Sequence, residues 1–473
     1  MRAPLSGLSF FGVGVAAVIA LLAEPGSSWQ DLASAVGVAL MLGFVALEIR
    51  SVKPLHVWTS LILFSLGITA IVAVSGLGLE SLKVLYQGLV RNLQYLLLFA
   101  SIVWLQVQAT QSPSLLELRE RAMRMPGGRR SVSIMLVAYV LGSAFNIAAF
   151  GLMSPLIQPQ TTPQPLRERL LQAVSKGFML ATSWSPLFVG TAVILASVDG
   201  VRWTDVGLGG FVLGGALLVA QWVFDGIYRR LDPSAAKARA LFLAREPVAL
   251  RLGLRATLVR AGLIILTLFS VLFVAVAVLK LRIPVALALA APVFGLSWAW
   301  TIRREVGSKA HGPVRSVGEV FAHYPTLRGE ALLFAAANVF AIGIQGVLAQ
   351  RLGEAGQSLS TILGWSEPAL LLACILGFFI ICVLGMHPLV SVILLTTLFV
   401  AADLGLEPWQ FAVMMMALWG TGTNASPVSA SSILMGRMTE LSNWRVAWRL
   451  NLPFSLVNVV VICAAFLLLQ ALN

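Results

Sequence analysis

The feature that most restricts this chain is a series of apolar runs, each long enough to cross a bilayer and each carrying few or no charges. They lie near 6–23, 32–49, 55–77, 92–108, 177–198, 203–224, 261–280, 283–300, 331–350, 409–436 and 450–471. The hydrocarbon core of a bilayer is about 30 Å thick, and about 20 apolar residues in a helix cross it. In lipid every backbone polar group must be paired inside its own element, so runs of this length are helices. A membrane β-barrel would show alternating segments of about ten residues instead. Composition excludes a soluble multidomain protein: charged residues make up 11% of the 473, against about 25% in soluble domains. The chain reads as an all-α polytopic membrane protein with about eleven transmembrane helices.

Several function classes drop out early. Cys374, Cys382 and Cys463 all lie in apolar runs and suggest neither a disulfide framework nor a metal site. No cleavable signal is evident, because the first run exits through Ala23-Glu24-Pro25-Gly26 without a small-x-small pattern. There is no Gly-rich phosphate loop, zinc spacing or nucleophile elbow, so no enzyme activity and no cofactor is expected. The net charge of +13 has no aromatic–basic interleaving beside it, which argues against nucleic acid as a partner.

Placement of the basic residues explains that charge. Cytoplasmic loops of membrane proteins are enriched in Lys and Arg. With the N-terminus inside, the loops alternate cleanly up to Arg130. From there to 226 both ends are cytoplasmic, yet three apolar runs intervene, so one of them does not cross. The run 131–157 is interrupted by Gly142-Ser143-Ala144-Phe145-Asn146. Each arm is about 12 residues, or about 18 Å of helix, too short for the core. It reads as a re-entrant hairpin entered from the cytoplasm. The run 368–402 is broken by Gly385-Met386-His387-Pro388 and reads as a second hairpin, opening outside. This arrangement puts 27 of the 33 Lys and Arg inside and 6 outside. The basic stretch 226–260 divides the chain and reads as a cytoplasmic linker with an amphipathic helix. The C-terminus falls outside, and the bilayer is expected to be the plasma membrane (the inner membrane of a bacterium).

The two halves share an ordered set of short matches. Leu97-Leu98-Phe99-Ala100 recurs as Leu332-Leu333-Phe334-Ala335, and Val140-Leu141-Gly142 as Val383-Leu384-Gly385. Thr182-Ser183-Trp184-Ser185-Pro186 recurs as Thr423-Asn424-Ala425-Ser426-Pro427. Charge-derived topology gives the counterparts opposite directions. The expected organisation is an extra helix at 1–30, a first inverted repeat at 31–225, the linker at 226–260 and a second repeat at 261–473. Inverted repeats suit alternating access.

Interrupted helices in hydrocarbon are tolerated only where they are buried in protein or line a wet cavity, and matched breaks in two halves mark a transport site. Serine is a favoured N-cap and proline a favoured first helical residue, so Ser185-Pro186 and Ser426-Pro427 are expected each to start a half-helix. Exposed N–H groups at such a start attract anions. With Ser143 and Asn146 at the first hairpin and His387 at the second, they form the expected substrate-binding set. Thr182, Ser183, Thr423 and Asn424, beside free carbonyls, form the expected ion-binding set, with sodium as the cation. His387 is the only titratable group placed near the membrane middle and can instead carry a coupling proton. No carboxylate is placed deep, which favours an anionic substrate.

Eleven spans with two opposed re-entrant hairpins and paired broken helices resemble the ion transporter superfamily, most nearly the divalent anion/sodium symporters. The large permease subunit of TRAP transporters is similar. The resemblance covers about 32–471. It implies a homodimeric elevator transporter for small carboxylates, usually sodium-coupled, with a Ser-Asn-Thr motif at each hairpin tip and following break. Here the first tip offers Ser143 and Asn146 without contiguity, the second His387, and the broken helices Thr182-Ser183 and Thr423-Asn424. The expected function is therefore a secondary transporter of a small organic anion coupled to Na+ or H+. The alternatives are a TRAP-type permease subunit, or an integral membrane enzyme acting on lipids. The enzyme would need loop groups such as Glu117, Glu120 and His323, which a transporter should not.

Overall fold

The computed structural model describes residues 2–125, 127–160, 162–198, 200–231, 250, 253–307, 312–355, 363–386, 388–401 and 404–472. Among these every regular element is helical and none is a strand. The helices are α1 (Arg2–Leu22), α2 (Ser28–Glu48), α3 (Pro54–Ser75), α4 (Leu79–Ala109), α5 (Pro113–Arg124), α6 (Gly127–Phe145), α7 (Ala148–Met153), α8 (Gln164–Leu180), α9 (Val189–Ser197) and α10 (Trp203–Leu231). The second half supplies α11 (Leu254–Phe273), α12 (Ile283–Val306), α13 (Pro313–His323), α14 (Arg328–Ala355), α15 (Glu367–Val383), α16 (Pro388–Ala401), α17 (Pro408–Ala425), α18 (Ala430–Thr439) and α19 (Leu452–Leu472).

Local chemistry sets many of the ends. Proline opens α3, α5, α13 and α17, where its missing N–H costs nothing. The Ser27 hydroxyl accepts from Gln30 N at the start of α2, and Gly76, at φ +72°, stops α3.

Nine stretches among the described residues are long and apolar enough to cross a membrane. They match nine of the eleven expected runs. The other two, 177–198 and 409–436, are interrupted: α8 gives way to α9 across 181–188, and α17 to α18 across 426–429. α10 runs on to Leu231 and α11 begins at Leu254. The expected amphipathic helix falls on 232–249 and 251–252, outside the described residues.

The chain forms two compact units, and each draws on both halves of the sequence. One comprises Met1–Gln108, Val271–Gly364 and Thr396–Asp403. Inside it α3 and α14 lie side by side in parallel, with Gly67 against Phe340 and Gly343 against Gly67 and Ala70. A Cβ on Gly67 would sit 2.7 Å from the Phe340 backbone, and one on Gly343 2.6 Å from Gly67 O. Lipid gives no hydrophobic drive for helix association, so close approach at small residues supplies the packing. At the end of this pair Arg328 meets Glu48 at 3.4 Å and donates to Ser51 O at 2.8 Å.

The other unit comprises Ala109–Ser270, Trp365–Leu395 and Leu404–Asn473. It holds the arms α6–α7 and α15 with the start of α16, both broken helices, and α10 and α19. The sequence-predicted breaks and described tip residues all belong to it.

Candidate functional site

The first hairpin turns where the sequence interrupts itself. α6 ends at Phe145, Asn146 adopts a left-handed conformation (φ +48°), and α7 leads back. Asparagine tolerates that region better than most residues because its side chain can bond locally. Here its amide reaches further: Nδ2 donates to Leu187 O at 2.9 Å. Ser143 Oγ closes on Val140 O, while its carbonyl accepts from Ser185 Oγ at 2.6 Å. The tip is thus bonded directly to the first break. α6 packs along α8 in the same direction, with Gly177 against Met135 O and Ala138, and Gly142 against Phe178 and Ala181.

At the second interruption α15 ends at Val383 and α16 begins at Pro388. Gly385, at φ +104°, turns the chain after α15. Gly422 of α17 lies against Phe378 and Cys382, and Gly385 approaches Val428 in the second break. Trp448 Nε1 donates to Val383 O at 3.2 Å. His387 lies outside the described residues.

The two broken helices cross each other in opposite directions. Met179 and Thr182 meet Gly420 so closely that a Cβ there would strike Met179 O and Thr182 Oγ1. Thr182 Oγ1 lies 3.3 Å from Met416 O, Ser175 Oγ donates to Asn424 Oδ1, and Gly190 packs on the Trp419 ring.

The Ser-Pro steps are placed differently from the expectation. Ser185-Pro186 lies three residues before α9, whose N-cap is Phe188. The Ser185 hydroxyl accepts from Leu187 N at 3.1 Å while bonded to the hairpin tip, so tertiary contact holds it in the turn. Ser426 is the C-cap of α17, and Ser429 is the N-cap of α18, accepting from Ser432 N at 3.1 Å. Both serines and both prolines are nonetheless buried within the breaks. Three hydroxyls of the expected ion set donate to carbonyls of their own helix: Thr182 to Met179 O, Ser183 to Leu180 O and Thr423 to Trp419 O, each at 2.6 Å. Hydroxyl lone pairs remain after such donation.

A polar stripe on α19 was not anticipated. Asn458 Nδ2 reaches Thr421 Oγ1 at 3.4 Å, and its Oδ1 accepts from Gln221 Nε2 of α10 at 2.6 Å. The signal was present as Asn451, Ser455 and Asn458 at helical spacing in an otherwise apolar span, which hydropathy averages away. A buried ion pair was also missed in the sequence. Asp225 is 6% exposed and pairs with Lys176, 2% exposed, at 2.8 Å. Ser131 Oγ donates to its second oxygen at 3.1 Å, and the ammonium stands 3.8 Å from the Phe454 ring centre. Runs drawn to end at charges placed both residues in loops. Glu117 and Glu120 are not free loop acids either: both are buried, and Glu117 accepts from Thr257 at 3.2 Å.

The fold has a solved counterpart. The chain superposes on the YdaH transporter of Alcanivorax borkumensis, whose crystal structure is described as having an unusual topology. The TM-score is 0.54 and the identity 17%, over 87% of this chain and 96% of that one. No family model and no curated relative matches. The likeness establishes a fold shared with a membrane transporter.

Proposed function

We propose that this protein is a secondary active transporter that moves a small organic anion of the carboxylate class, coupled to Na+ or H+. The observation that carries the reading is the matched pair of junctions: each hairpin tip abuts the break of its own following helix, and the two broken helices cross. Irregular backbone at membrane depth is expensive unless it serves a site, and two broken helices with buried breaks support such a site. The fold shared with a transporter supports the same reading.

The two halves, 31–225 and 261–473, act as inverted repeats, with 131–157 the inner and 368–402 the outer hairpin and 226–260 the linker. The contacts support this. Residue 179 meets 420, its own counterpart at the offset of the Thr-x-x-Ser-Pro match, and the contacts 175–424 and 182–416 lie either side. The two broken helices complete the count to eleven crossings. The protein works as a homodimer by an elevator motion in the plasma membrane, N-terminus inside and C-terminus outside, with no cofactor beyond the coupling ion. Substrate contacts come from Ser143, Asn146, Ser185, Pro186, His387, Ser426 and Pro427, and ion contacts from Thr182, Ser183, Thr423 and Asn424.

The test is uptake by purified protein in liposomes across a panel of small carboxylates, with imposed sodium or pH gradients. Gradient-driven uptake of at least one anion is expected. Absence of uptake under every gradient would remove the reading.

A further inference from the structure

A group of buried polar atoms beside the second break has no partner among the described residues. They are Asn451 Nδ2 and Oδ1, Ser455 Oγ, Ser426 Oγ and Ser432 Oγ, and all four residues are 0% exposed. Buried polar groups in native proteins are almost always paired, and an unpaired one calls for a reason such as a bound ligand or water. Their positions are related. α18 returns to the last helix through a turn of a few residues, and Gly436 meets Asn443 while Thr421 meets Asn458. Residues 445–451 pack against both α17 and α18, and α19 packs against α17. Asn451 also ends a π-helical stretch, Arg445–Asn451, and such stretches recur at functional sites.

We propose that Asn451, Ser455 and Ser426 form one wall of the binding pocket, and that this wall takes an uncharged hydrogen-bonding group of the substrate: a hydroxyl, a carboxamide or a protonated carboxyl. The inference deepens the transport reading and rests on it. The chemistry of the set selects the class. A carboxylate only accepts, and would face the Asn451 amide oxygen unpaired; a metal ion would face its N–H2. A group that both donates and accepts satisfies the amide and the hydroxyls together. The atoms are sealed from solvent in this conformation, so the break must part from α19 for entry.

Two measurements test this. Asn451→Cys and Ser455→Cys, each in a background with Cys374, Cys382 and Cys463 replaced by Ala, are treated in membranes with a small hydrophilic methanethiosulfonate. Labelling at least about tenfold faster than for Ile462→Cys, an apolar buried position on the same helix, is expected. Labelling no faster than that control overturns the wall, whether or not any anion is transported. Uptake is then compared within matched pairs, malate with succinate and succinamate with butyrate. The wild type should favour the hydroxy- or amide-bearing member by about tenfold, and Asn451→Leu should lose that preference without a fall in melting temperature. Equal uptake within both pairs, a preference that survives Asn451→Leu, or a lowered melting temperature overturns the assignment. Absence of uptake for all four counts against the transport reading, and the labelling result still decides the wall.

Discussion

Lys176 and Asp225 form a buried ion pair outside the two breaks. Removing one partner of a buried pair strands the other charge, at a cost of about 3–5 kcal/mol, whereas replacing both with apolar residues can be neutral. Lys176→Met alone should therefore lower the melting temperature by many degrees in detergent, and Lys176→Met with Asp225→Leu should recover most of the loss. Gly420→Ala tests the crossing point: its Cβ has no room beside Met179 O and Thr182 Oγ1. Overpacking of this kind costs about 1–3 kcal/mol, so a clear drop in thermal stability is expected. Glu117→Ala should also destabilise, since it removes a buried carboxylate that accepts from Thr257. The same substitution therefore cannot separate transporter from enzyme, as its apparent loop position suggested.

Elements explain which parts of the site could be read in advance. The interruption in 131–157 was legible because Gly142 to Asn146 breaks an apolar run, and α6 does end at Phe145 with a left-handed Asn146 after it. The broken helices were legible because Thr-x-x-Ser-Pro recurs once, in the same order as the other matches and at a similar offset. The half-helix starts were not, because the capping preference of serine fits several positions. A contact distant in sequence decides the first, since Ser185 is held by Ser143 of the tip, and a local one decides the second, since Ser429 rather than Ser426 caps α18. The polar stripe of α19 was lost because three polar side chains barely change the mean of a long apolar span. At this scale the packing of α3 on α14 gives a further prediction. Gly343→Val should separate the pair, since even a Cβ would collide with Gly67 O, and the measurable result is loss of the monodisperse folded peak in size-exclusion chromatography.

At the scale of the molecule, the charge distribution predicts the orientation. A cytoplasmic-only fluorescent reporter should light at the N-terminus and stay dark at the C-terminus, with the converse for a reporter active only outside. The compact units cut across the two halves of the gene, so neither 1–231 nor 254–473 expressed alone should give a stable product. Co-expression of the two should restore folded protein, measured by co-purification.

The interleaving also fixes an order of events during synthesis. The Ser175 hydroxyl finds Asn424 only 249 residues later, and Gln221 waits 237 residues for Asn458. At about 5–20 residues per second, that is roughly 10–50 s of elongation. Throughout that interval a nascent first half sits in or beside the translocon with hydroxyl and amide groups that no lipid tail can satisfy. A protein built this way depends on insertion machinery to shelter its unfinished half, and it should be correspondingly sensitive to depletion of the membrane insertase.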